Sequence, residues 1–174
     1  MLLLKMTILS SLLLIFVQDL KSRSVYWPVF PLLAGSLVLL YGLEYHGLSG
    51  LVRPALANLG FLVLQLLLLT GYFSARNRRW TNITTGQLGW GDILFLVSAG
   101  LYFSVFNFLL FYMASLTLVL AFWFLWRSLP FKQSPAVPLA GLQALLLAFV
   151  FAGDWCFNLF NPTDDHWLLN LLRK

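Results

Sequence analysis

The stretch DILFLVSAGLYFSVFNFLLFYMASLTLVLAFWFLW, Asp92 to Trp126, is apolar almost throughout. One upright helix needs about 20 such residues to cross a bilayer. The run is too long for one span and short for two. Ser104 and Asn107 offer a break within it. It therefore reads as a short helix, Asp92 to about Phe103, followed by a full one, Val105 to about Trp126. The division fixes the number of spans, and hence which loops share a side.

Outward from this stretch, further apolar runs place helices at about Leu2–Gln18, Pro28–Leu43, Pro54–Phe73 and Val137–Ala152. Pro28 suits a first helical turn. The expected architecture is all-α: a polytopic membrane protein with about six transmembrane helices in one domain, residues 1–174. From 153 to 174 a short interfacial tail is expected. Its segment DDHWLLNLLRK would place Asp164 and Asp165 in the first turn of a helix and Arg173 and Lys174 in the last, as the helix dipole favours. The opening segment, MLLLKMTILSSLLLIFVQ, has one lysine and no small-x-small cleavage site after it, so it reads as a retained span.

Composition agrees. Of 174 residues, 60% are hydrophobic and 10% charged, against about 25% charged in a soluble domain. The mean hydropathy is +0.85. The net charge of +5 suits positively charged cytoplasmic loops; no nucleic-acid-binding motif accompanies it. The single cysteine, Cys156, excludes an intrachain disulfide and a cysteine-based zinc cluster. His46 and His166 stand far apart, and no metal or cofactor is expected. Tyr26, Trp27, Trp80, Trp90, Trp126 and Trp155 read as interfacial aromatics. Asn58, Gln65, Asn107 and Gln143 are expected to hydrogen-bond between helices, with Gln143 a candidate to line a site.

With six spans, Lys21, Arg23, Arg76, Arg78, Arg79, Arg127 and Lys132 share one side, against Lys5, Arg53, Arg173 and Lys174 on the other. The richer side, with the cluster ARNRR, is expected to be cytoplasmic, both termini lying outside. Asn82, in a glycosylation sequon, then faces the cytoplasm. Of the six acidic residues, Glu44, Asp154, Asp164 and Asp165 fall outside. Asp19 and Asp92 alone share the cytoplasmic edge, each at a helix end.

Two aspartates at one depth can share a proton. One then takes a proton from water while the other activates a peptide carbonyl, which is general acid–base hydrolysis without a covalent intermediate or a metal. Gly89 and Gly91 would let a substrate backbone approach Asp92.

QDLKSRSV (Gln18–Val25) followed by GWGDILFL (Gly89–Leu96) resembles the type IV prepilin peptidase and preflagellin peptidase family of intramembrane aspartic proteases. Asp19, Arg23 and Val25 fit the family's D-x-x-x-R-x-I/V. Gly89, Gly91 and Asp92 fit its G-x-G-D. LPFKQSPAVPLAGLQALL (Leu129–Leu146) is similar to its proline-rich entry into the last helix. The resemblance implies Asp19 and Asp92 as the catalytic pair, with Gly89, Gly91 and Arg23 shaping the site. It implies a pilin-like precursor as substrate, cut behind a short basic leader at the cytoplasmic face of the plasma membrane. Tyr26 and Trp27 stand where the family usually carries Pro-Asn, and Leu94 where it usually carries lysine. No paired CxxC motifs are present, so a peptidase without methyltransferase activity is expected. Two other classes fit the composition. One is a catalytically silent scaffold of a pilus or secretion assembly. The other is a proton-coupled transporter, which would hold its carboxylates near the midplane rather than at the edge.

Overall fold

The computed structural model describes residues 1–45, 47–77, 89–127, 138–157 and 161–165. They form six helices: α1 (Leu2–Ser22), α2 (Val29–Glu44), α3 (Ser49–Asn77), α4 (Trp90–Gly100), α5 (Val105–Arg127) and α6 (Leu139–Phe157). No strand occurs among the described residues. Four helices (α1, α3, α5 and α6) are long and apolar enough to cross a membrane. At 16 and 11 residues, α2 and α4 fall short of that length. The expected count of six spans thus reduces, on length, to four long helices and two short ones.

Several boundaries differ from expectation. Nothing after Gln18 breaks a helix, so α1 runs on to Ser22 and carries Asp19 in its last turn. Arg23 ends it in the left-handed conformation, φ 52°. Helix α3 begins at Ser49, so Pro54 lies inside it rather than at its head. At 29 residues it is about 43 Å long, given a rise of 1.5 Å per residue. Helix α6 continues through Gly153 to Phe157, five residues into the expected tail.

The break in the long apolar run is real. Chain direction changes between α4 and α5 over Leu101–Ser104. A helix end leaves carbonyls unpaired, and these need donors in an apolar setting. Asn58 of α3, fully buried, supplies them: its Nδ2 donates to Gly100 O and to Phe103 O, both at 2.9 Å. The start of α5 is capped from the tail. Asp165 is not helical, contrary to expectation. Its Oδ1 instead accepts the Ser104 hydroxyl at 2.5 Å and the Asn107 N–H at 3.3 Å. Asn107 Nδ2 donates to the carbonyls of Asn161, Pro162 and Asp164. Residues 166–174, the rest of the expected tail helix, lie outside the described residues.

The core follows helical spacing: Ile8, Leu12 and Ile15 on α1; Phe30, Leu33, Leu37 and Leu40 on α2; Ala140, Ala144, Leu147 and Phe151 on α6. Helix α1 packs between α2 and α6; α4 meets α2, α3 and α6; α5 lies on α3 and α6. Leu3, Leu64, Leu67, Leu68 and Phe124 point outward, which suits lipid as the surrounding solvent. Gln65 of α3 hydrogen-bonds Tyr112 of α5. Gln143 of α6 donates to Ser115 of α5 at 3.2 Å. Asn58, Gln65 and Gln143 thus tie helices together, as expected, whereas the Asn107 amide binds the non-helical segment 161–165 instead.

The bundle has two chemically distinct ends. At one, Lys5 Nζ lies 3.7 Å from Glu44 and 5.0 Å from the centre of the Trp155 ring. Tyr102 donates to Glu44 at 3.5 Å, and Asp154 lies within the electrostatic reach of Glu44 and Lys5. This gathers the start of α1 with the ends of α2 and α6. The opposite end holds the last turn of α1 and the first turns of α4 and α6, and with them Asp19 and Asp92.

Candidate active site

The end of α1 is fastened by short-range bonds. Gln18 Oε1 accepts the Tyr26 N–H at 2.9 Å. The Ser22 hydroxyl lies within hydrogen-bond reach of Gln18 O and Ser24 O. The Arg23 N–H donates to Asp19 O at 3.0 Å. The four-residue spacing of the Asp-x-x-x-Arg pattern thus has a backbone meaning, because it is the closing turn of a helix. The exposed Arg23 side chain acts on the Asp19 carboxylate through space. Asp19 itself is buried, with 8% of its surface exposed.

Asp92 is set by the first turn of α4. Gly89 caps that helix in extended conformation, and Asp92 occupies its third position. The Gly89 N–H donates to Asp92 Oδ2 at 3.2 Å, while the Asp92 N–H donates to Gly89 O at 3.1 Å. The carboxylate therefore reaches back over its own helix start, a reciprocal cap. The two glycines of the motif then differ. A Cβ on residue 89 would stand 3.2 Å from Asp92 Oδ2, whereas one on residue 91 would meet only Phe30 Cζ, at an ordinary 3.7 Å. Gly89 leaves room for Asp92 itself; a side-chain carbon at Gly91 would fit in ordinary contact.

What joins the two aspartates is α6. Its first intrahelical bond runs from the Leu142 N–H to Pro138 O, so the preceding N–H groups are free to bind elsewhere. The Gly141 N–H donates to Asp19 Oδ2 at 2.6 Å. The preceding N–H, that of Ala140, acts on the Asp92 carboxylate, which also lies within the electrostatic reach of Asp19. Successive peptide groups at one helix start thus address two carboxylates from different helices. Sequence reasoning did not single out Gly141. Its only signal was a glycine three residues after Pro138 in the apolar entry to the last helix.

Gln143, two residues further along α6, is fully buried and directed to Ser115 of α5; no hydrogen bond joins it to either aspartate. Val25 packs against the core. Tyr26 and Trp27 are exposed, while Leu94 is half-buried against the core. Among the described residues, no three or more His, Cys, Asp or Glu side chains gather to hold a metal. His46, Arg78, Arg79, Trp80, Asn82, Lys132, His166, Arg173 and Lys174 lie outside the described residues.

Chemically, the site offers two carboxylates within electrostatic reach of one another, set among apolar helices and held by backbone donors. Such a pair can divide acid and base roles between its members. Comparisons with protein-family models, curated proteins and solved structures find no match for this chain.

Proposed function

We propose that the protein is an intramembrane aspartic endopeptidase of the prepilin peptidase type. The observation that carries this reading is the convergence of Asp19 and Asp92 on the first turn of α6. One carboxylate, ionised, takes a proton from a water molecule. The other, protonated, donates to the carbonyl oxygen of the peptide bond under attack. The water oxygen adds to the carbonyl carbon, and collapse of the tetrahedral species with proton transfer to nitrogen releases the two products. The substrate is a pilin-like precursor whose apolar helix lies in the bilayer and whose short basic leader is removed.

In this reading all six helices lie in the plasma membrane, α2 and α4 as short members. The basic loops place the dyad at the cytoplasmic face and both termini outside.

The test is cleavage of a precursor with a basic leader, co-expressed in membranes with the wild type, Asp19→Asn or Asp92→Asn. Loss of cleavage in both variants at normal protein levels supports the dyad; cleavage surviving either change removes that residue from the mechanism. A second reading, a silent scaffold of a pilus or secretion assembly, is favoured by the apolar Leu94 and the exposed Tyr26 and Trp27 in place of the family's usual residues. It would be selected if the wild type cleaved none of several basic-leader precursors.

A further inference from the structure

We infer that Gly141 is a positioning residue for the dyad: its peptide N–H and its missing side chain hold the Asp19 carboxylate where it faces Asp92. This role rests on the peptidase reading above.

Three observations meet at this residue. The Gly141 N–H lies before the first intrahelical bond of α6, so binding Asp19 at 2.6 Å takes nothing from the helix. A Cβ built on Gly141 would fall 2.9 Å from Asp19 Cβ, 3.0 Å from Asp19 Oδ2 and 3.2 Å from Phe16 O. Asp19 Cβ and Phe16 O are fixed parts of α1 rather than the tips of flexible chains, so a methyl group there forces α1 and α6 apart. By contrast, Gly35, Gly60 and Gly71 have nothing within 4 Å of an added Cβ. Gly50 and Gly89 are also tight, at 2.7 Å from Tyr41 Oη and 3.2 Å from Asp92 Oδ2, but against side-chain tips; at Gly141 the close atoms include Asp19 Cβ and Phe16 O, which cannot swing away. Helices that separate at this point carry Asp19 on α1 away from the Ala140 N–H that acts on Asp92. A misplacement of about 1 Å costs on the order of 100-fold in rate.

The experiment uses the full chain in lipid vesicles with a precursor carrying a basic leader and an apolar helix. Rates are normalised to folded enzyme. For Gly141→Ala, kcat is expected to fall about 100-fold while KM stays within about threefold, since geometry rather than substrate binding is lost; Gly60→Ala is expected to match the wild type. A wild-type kcat per folded molecule of Gly141→Ala would overturn the role. A stability cycle reads the contact without any reliance on cleavage. In an Asp19→Gly background the two nearest crowding atoms, Asp19 Cβ and Oδ2, are gone and only Phe16 O at 3.2 Å remains, so adding Gly141→Ala is expected to move the thermal midpoint less than it does in the wild type. Equal shifts in the two backgrounds, or failure of the double variant to accumulate where Asp19→Gly alone does, would overturn the contact. If the wild type cleaves nothing, the peptidase reading falls and the positioning role with it, while the cycle still reports whether Gly141 seats Asp19.

Discussion

The two ends of the bundle hold their acids in opposite ways. At one end Glu44 has a cation, Lys5, and a hydroxyl, Tyr102, as partners. At the other, the donors seated on Asp19 and Asp92 are backbone N–H groups, from Gly141 and Gly89. A side-chain cation neutralises a carboxylate and fixes its charge. A peptide N–H also favours the ionised form, but it orients the carboxylate without adding a full countercharge. The first arrangement joins helices; in the proposed peptidase the second would leave the paired carboxylates to divide acid and base roles.

That contrast can be broken by substitution. The largest effect is expected from Asp19→Asn or Asp92→Asn. Asparagine still accepts the backbone N–H, so folding should persist while the rate of precursor cleavage falls about 1,000-fold or more, within the range of general acid–base catalysis. Rates and thermal midpoints measured together decide it: a variant that loses cleavage only by unfolding would assign that end a structural role. Next comes Asn58→Leu, which leaves the carbonyls of Gly100 and Phe103 without their donor and should destabilise the protein by about 2 kcal/mol in a denaturant titration. Removing the carboxylate that caps α5, in Asp165→Ala, should cost about 1 kcal/mol and speed amide exchange in the first turn of that helix. Smallest is Lys5→Met, whose partly exposed ion pair contributes at most about 1 kcal/mol. Cleavage should continue at the wild-type rate in this variant; a large loss would erase the distinction between the ends.

Much of the helical layout was legible because apolar runs between polar breaks mark helices whatever they later contact. The interruption at Ser104 and the depth shared by Asp19 and Asp92 followed from it. Boundaries set by tertiary partners were not legible. Helix α3 starts ahead of Pro54, and α6 runs past Gly153, where sequence rules alone suggested an edge. Asp165 looked like part of its own helix, yet it serves α5, a partner some 60 positions away. Gly141 was hidden for the same reason. A glycine in an apolar helix has no visible purpose until the residue pressed against it, Asp19, is known.

The shortness of α2, beside the still shorter α4, reaches beyond the protein. In α4, eleven residues cover about 16 Å, near half of a hydrocarbon layer of about 30 Å. Its neighbour α2, with 16 residues, covers about 24 Å. Lipids beside the outward Leu32, Leu39 and Leu43 of α2 must shorten or tilt to meet it, whereas those beside α3 need not; α4, exposed only at Trp90, is shielded from them. Asp92 sits at the start of α4, which packs on α2, so in the proposed peptidase a polar peptide and the water that attacks it would reach Asp92 beside the thinner stretch of bilayer. Acyl-chain length, which no residue of the dyad touches, would then be a setting on the proposed peptidase.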